Sequence, residues 1–293
     1  MKMIKINVGQ KEIHVIEGEL FHRYRMNPDL EEIKKQISFD TVEYFRKWEK
    51  KPMLYEGLGM ELLMPCFYYE SSYIQAVFTA EAEKLKKLLP TEKVHPLLID
   101  PKNGVIAISA FSHKKTDIDP YNAFTISVVI MKPKPKHFGL SSLPESVTQG
   151  DSWIYIWKFP VNTELSLVGG IEAYNYPKHL TDISFEAREN EMFACFTHEG
   201  AAEVSLYGKK PRTKPGNETI AHALSMRKGH VLDIPFYINL LSEGHSYSQK
   251  SCRLELGNGP IADVLRELNI GHLVRYDYVP KAQMILPAPT QID

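Results

Sequence analysis

Apolar and polar positions alternate through much of the chain, and the alternation begins near residue 54. Runs of this kind cover 73–78, 105–111, 124–131, 153–159, 192–197, 203–207 and 231–241, each bounded by turn-forming residues. Many short strands with few interruptions predict a barrel or sandwich dominated by antiparallel sheet. Two segments carry helical spacing instead: 81–89, which ends at Pro90, and 260–268, which ends before Gly271. The predicted fold class is therefore α+β, mostly antiparallel β.

The first fifty residues follow a different pattern. After a possible short strand, Asn27-Pro28 can cap a helix that continues with Leu30, Ile33 and Ile37, and a second start at Asp40 places Val42, Phe45 and Trp48 on one face. One helical hairpin or bent helix is expected, its apolar stripe covering the main body or a neighbouring subunit. The chain thus divides into an N-terminal extension, 1–53, and a β-rich domain, 54–293. Proline, lysine and serine accumulate over 132–151 and again over 208–217, which predicts exposed connections.

Composition narrows the function. The chain has 293 residues, 43% hydrophobic and 24% charged, and 35 Lys+Arg balance 36 Asp+Glu. That length and composition suit a full-sized globular core, and the near-zero charge provides no global field for nucleic acid or an anionic membrane. No run of apolar residues reaches bilayer-spanning length, and the alternating opening lacks the core of a secretion signal, so a cytoplasmic address is expected. Cys66, Cys195 and Cys252 are widely separated and odd in number, which fits reduced thiols. The glycine-rich phosphate loop, the dinucleotide fingerprint, HExxH and GxSxG are all absent. The scattered histidines, His198, His222 and His230 among them, suggest no metal set, and no cofactor is implied. Cys195 and His198 stand three apart on a predicted strand, so they face opposite sides and make a poor nucleophile pair.

One segment carries candidate chemistry. Gly169-Gly170 precede Tyr174, Tyr176, Pro177 and Lys178 in aromatic and apolar surroundings, which predicts a rigid turn that delivers one amine. Desolvation disfavours an ammonium ion, and a protonated His179 beside it would act in the same direction. A lysine kept neutral near pH 7 can attack a carbonyl and form an imine.

Gly170-x-Glu172-x4-Pro177-Lys178 resembles the signature of acetoacetate decarboxylase and its relatives. The resemblance extends over about 54–290. Phe78-Thr79-Ala80-Glu81 with the helix that follows, Asp119-Pro120-Tyr121-Asn122-Ala123-Phe124 in place of a glycine-proline-tyrosine loop, and Arg253-Leu254-Glu255-Leu256 all fit in order and spacing. It implies a β-barrel or cone, a homo-oligomer and a small-molecule keto acid substrate, with no nucleic-acid or membrane partner. Lys178 is implied as the imine-forming residue, with Tyr176 and Tyr121 lining the pocket and Glu172 orienting or transferring protons. Three positions depart from the pattern: His179 replaces a second lysine, Ile171 an arginine and Ala123 a glutamate. With no arginine in 70–78, Glu70, Glu172, Tyr121 and His179 become candidates for carboxylate recognition and reprotonation. The implied reaction is decarboxylation of a β-keto acid. Aldol-dehydration or cyclisation on the same lysine is an alternative, and a binding protein that has lost catalysis is another.

Overall fold

The computed structural model describes residues 2–39, 41–133 and 151–292. The connection expected at 132–151 lies almost wholly outside the described residues.

The chain opens with a hairpin of β1 (Met3–Val8) and β2 (Lys11–Ile16). It turns at Gly9, where φ is +60° and a Cβ would lie 1.9 Å from the Leu58 carbonyl oxygen, so both backbone shape and space require glycine. Three short helices follow in place of the expected helical hairpin: α1 (Leu20–Tyr24), α2 (Leu30–Lys34) and α3 (Glu43–Arg46). They are too short to stand alone and are fixed by packing. Leu20, Ile33, Val42 and Phe45 form a core with Phe67, Tyr69 and Ile285, so the apolar stripe covers the main body. A second hairpin, β3 (Lys51–Tyr55) and β4 (Met60–Met64), completes this region.

The body begins with β5 (Cys66–Glu81), α4 (Ala82–Lys86), β6 (Asn103–Thr116), β7 (Tyr121–Val129) and β8 (Asp151–Val161). Next come α5 (Glu164–Tyr174), β9 (Lys178–Leu180), β10 (Ile183–Ala187), β11 (Glu191–His198) and β12 (Ala201–Lys209). The chain ends with β13 (Glu218–Arg227), β14 (His230–Ser246), β15 (Cys252–Leu256), α6 (Pro260–Glu267), β16 (Leu273–Leu286) and β17 (Thr290–Gln291). Seven strands close a barrel in the order β13-β14-β16-β5-β6-β7-β8, sealed by parallel pairing of β8 with β13. Strands β10, β11, β12 and β15 form a second, four-stranded sheet.

Strand alternation explains the two layers. On β6, Ile106, Ile108 and Ala110 point outward, into a core shared with Ala194, Phe196, Val204 and Leu206 of the second sheet. The intervening Ser109, Phe111 and His113 point into the barrel. Most residues of β5, β6 and β7 are buried on both faces, which is why long stretches of these strands read as apolar runs. Among the described residues, no helix is long and apolar enough to cross a membrane.

Candidate active site

The barrel encloses a cavity of about 520 Å³. Closure by seven strands leaves more interior than side chains fill, and ligand sites favour such space. Residues outside the barrel strands close one side of it: Val8 of β1, Phe21 of α1, Met26 and Leu58 all contribute to its lining. Asp119 anchors that cover, because its carboxylate accepts the backbone N–H of Phe21 at 2.8 Å and of Ile16 at 3.3 Å.

Lys178 reaches the cavity from β9, which pairs in parallel with the end of β8 through Phe159↔Lys178. Opposite it stands α5, where the sequence pattern suggested a turn. The helix is capped at its start by Thr163, whose hydroxyl accepts from Ser166 N–H, and at its end by Asn175 in the left-handed conformation at φ 52°. The expected turn is thus confined to 175–177, beyond the glycine pair. Gly170 faces the lysine directly: a Cβ there would stand 2.4 Å from Lys178 Cε and 2.7 Å from Nζ. The glycine makes room for the side chain.

Two hydrogen bonds orient the amine. Lys178 Nζ donates to the Ser166 carbonyl oxygen and to Ser166 Oγ, both at 2.9 Å. It sits 4.5 Å from the Phe159 ring centroid and 5.5 Å from that of Tyr121. Although Lys178 keeps partial accessibility as a residue lining the cavity, the groups packed round its amine leave it poorly hydrated. Burial lowers its pKa from 10.5 to about 7. A neutral amine has two N–H groups and one lone pair; with both hydrogens donated to Ser166, the lone pair is left for an incoming carbonyl carbon.

Polar but uncharged groups continue the site. Tyr121 hydrogen-bonds Ser166 and approaches the Tyr68 hydroxyl to 3.2 Å, and burial raises both phenol pKa values. His113 Nδ1 lies 2.9 Å from Ser71 Oγ. Burial first, and the Lys178 charge second, lower the His113 pKa to about 3, so its ring is neutral at physiological pH. Tyr176 lines the cavity through its ring, while its buried hydroxyl has no hydrogen-bond partner among the described residues.

The fold is that of acetoacetate decarboxylase. A structure of that enzyme superposes with a TM-score of 0.56 at 14% identity, covering 78% of this chain and 89% of the other. Acetoacetate decarboxylase from Legionella pneumophila superposes with a TM-score of 0.58 at 12% identity, covering 89% and 95%. The enduracididine biosynthesis enzyme MppR, solved with pyruvate, gives 0.54 at 9% identity, covering 78% and 91%. No protein-family profile and no curated protein matches the chain by sequence.

On this acetoacetate decarboxylase scaffold, the residues singled out in the sequence separate into two groups. Lys178, Tyr176 and Tyr121 line the cavity. Glu172, His179 and Glu70 are not part of the lining. The Glu172 carboxylate accepts from Lys11 Nζ at 2.6 Å and packs against Gly57, so it ties α5 to the N-terminal hairpin. His179, next to Lys178 on a strand, faces the other way, toward Phe196 of the second sheet at 6.5 Å between ring centroids. Burial and the Lys158 charge lower its pKa, so it adds no cation beside the amine at neutral pH. Glu70 accepts the backbone N–H of Ser38 at 2.8 Å. Each carboxylate or ring already has a structural partner outside the barrel.

Sequence reasoning missed Ser166, twelve residues before the lysine it holds, and Ser71, His113 and Tyr68. A serine on an apolar helix carries no signal until the helix is seen to face β9. It also missed Arg275, which reaches the cavity from β16 and pairs with Asp277 at 2.8 Å.

Proposed function

We propose that this chain is an imine-forming enzyme that decarboxylates a β-keto acid on Lys178. The observation that carries the reading is the amine itself, held by Ser166 inside an aromatic-walled cavity with its pKa near 7. The neutral amine adds to the ketone, water leaves the carbinolamine, and the resulting iminium accepts the electron pair released as carbon dioxide departs. The enamine then takes a proton at carbon, and hydrolysis releases the ketone and regenerates the amine. Tyr121, in hydrogen-bond contact with both Ser166 and Tyr68, is placed to return that proton from a neutral phenol. Weak hydration around Lys178 favours carbon dioxide loss, because the carboxylate charge disperses as the bond breaks.

Condensation of a keto acid with an aldehyde on the same lysine is a second reading. Its support is the likeness to MppR solved with the condensation product of pyruvate and imidazole 4-carboxaldehyde, at a TM-score of 0.51.

Borohydride reduction in the presence of acetoacetate, longer β-keto acids or pyruvate tests the imine. The expected result is a mass adduct on the peptide containing Lys178, absent in Lys178→Ala, with carbon dioxide released from the β-keto acids. Adduct formation without carbon dioxide release, and a condensation product from pyruvate plus aldehyde, would select the second reading. A folded protein that binds ketones without forming any adduct would overturn both and leave a binding protein on an enzyme's fold.

A further inference from the structure

The cavity is much larger than acetoacetate requires, and its chemistry changes along its length. At one end are Lys178, Tyr121 and Tyr68, closed over by Val8, Phe21 and Leu58. The register of β5 with β16 sets Tyr68 opposite Met284 at that end, and Gln75 opposite Asp277 toward the other. Exposed side chains, Arg275 and Glu218, line the far end.

A row of rings connects the two. Tyr121 lies 4.7 Å from His113, His113 stacks on Phe111 at 5.5 Å, and Phe111 lies 5.3 Å from Tyr73, all centroid to centroid. Across the barrel, Ile154 and Ile156 of β8 and Phe236, Ile238 and Leu240 of β14 supply an aliphatic and aromatic wall. Beyond this slot two pairs of polar groups are bound to each other, and the side chains of Glu218 and Glu243 also line that end. Gln75 donates to Ser109 at 2.9 Å, and Arg275 Nε donates to both oxygens of Asp277 at 2.8 and 3.0 Å. With Arg275 engaged by Asp277 and with Glu218 and Glu243 beside them, a carboxylate terminus on the substrate would meet mostly like charge there.

Resting on the imine reading above, we infer that the substrate is a keto acid with an extended, uncharged apolar tail, which runs from Lys178 along the Tyr121-His113-Phe111-Tyr73 row. The carbonyl is taken at the closed end, so the tail has one direction to go. Each methylene moved from water onto these walls favours binding by about fourfold at full burial, and a tail several carbons long gains most of its affinity there.

Methyl ketones, the stable products of such a decarboxylation, test this by reductive trapping on the intact wild-type protein. Acetone, methyl propyl ketone, methyl pentyl ketone and methyl heptyl ketone are each titrated over the same concentration range, together with a ketone of the longest length that ends in a carboxylate. Expected is half-maximal trapping on Lys178 at roughly tenfold or more lower concentration for methyl pentyl ketone than for acetone, and weaker trapping of the carboxylate-ended ketone than of its alkyl counterpart. Trapping independent of length, or stronger for the charged terminus, overturns the apolar-tail inference and leaves the imine reading standing. No adduct with any ketone overturns the imine reading itself, and the inference with it. Length-dependent adducts that persist in Lys178→Ala are surface partitioning and also overturn it.

Discussion

At the residue scale, the chemistry depends on keeping one amine out of water. Lys178 titrates near 10.5 when unfolded and at about 7 when folded. The folded state therefore resists protonation, a cost fully present below pH 7 that fades as pH approaches 10.5. Replacing Lys178 with Met is expected to raise stability near pH 6 by on the order of 5 kcal/mol, with the gain shrinking as pH rises. Denaturant melts at two pH values check it. Imine trapping in the wild type should rise with pH through a midpoint near 7, since the neutral amine is the nucleophile. Tyr176 makes the opposite prediction about a polar group. Its buried hydroxyl lacks a partner among the described residues, so Tyr176→Phe is expected to keep or raise stability by up to about 1 kcal/mol, measured as a shift in Tm.

At the element scale, α5 and β9 form a single device. Gly170 exists in the helix because Lys178 Cε and Nζ occupy the space a Cβ would take. Alanine favours a helix interior over glycine by about 1 kcal/mol, so Gly170→Ala should fold while pushing the amine off Ser166. Loss of imine trapping by more than roughly tenfold, the equivalent of about 1.4 kcal/mol, with little change in Tm, is expected. Gly169 has nothing within 4 Å of its would-be Cβ; Gly169→Ala should stabilise by about 0.5–1 kcal/mol. This helix was hard to read in the sequence for physical reasons. Leu165, Leu167, Val168, Ile171 and Ala173 together spread apolar residues round the helix, and two adjacent glycines imitate a turn. Strands β5 to β8 were legible because their alternation or unbroken apolar runs match two buried faces. The helices α1 to α3, of five, five and four residues, are too short to repeat a stripe.

At the scale of the whole molecule, the N-terminal segment and the barrel share one core. Val8, Ile13, Val15, Phe21 and Met26 pack with Tyr68, Tyr121 and Leu165. Asp119 links them from a left-handed backbone position at φ 64°, where the resembling family's loop has glycine. Asp119→Ala strands two N–H groups and strains the backbone, and is expected to cost about 2–4 kcal/mol. Asp119→Asn tolerates that φ and can still accept one of the bonds, so about 1–2 kcal/mol is expected. Equilibrium unfolding of the pair tests whether this carboxylate holds the cover on the barrel.

By itself the sequence determined the β-rich body, the two helices with clear stripes, and Lys178 as the residue to watch, because strand period and a proline-lysine step are local properties. Only the tertiary structure decided what surrounds that lysine. The parallel closure of β8 on β13, the approach of Ser166 from α5, the cover from residues before 60, and the turning of Glu172, His179 and Glu70 toward partners outside the cavity all join positions far apart in the chain. The reactivity of an amine is set by the atoms packed around it, and those come from contacts that no local pattern encodes.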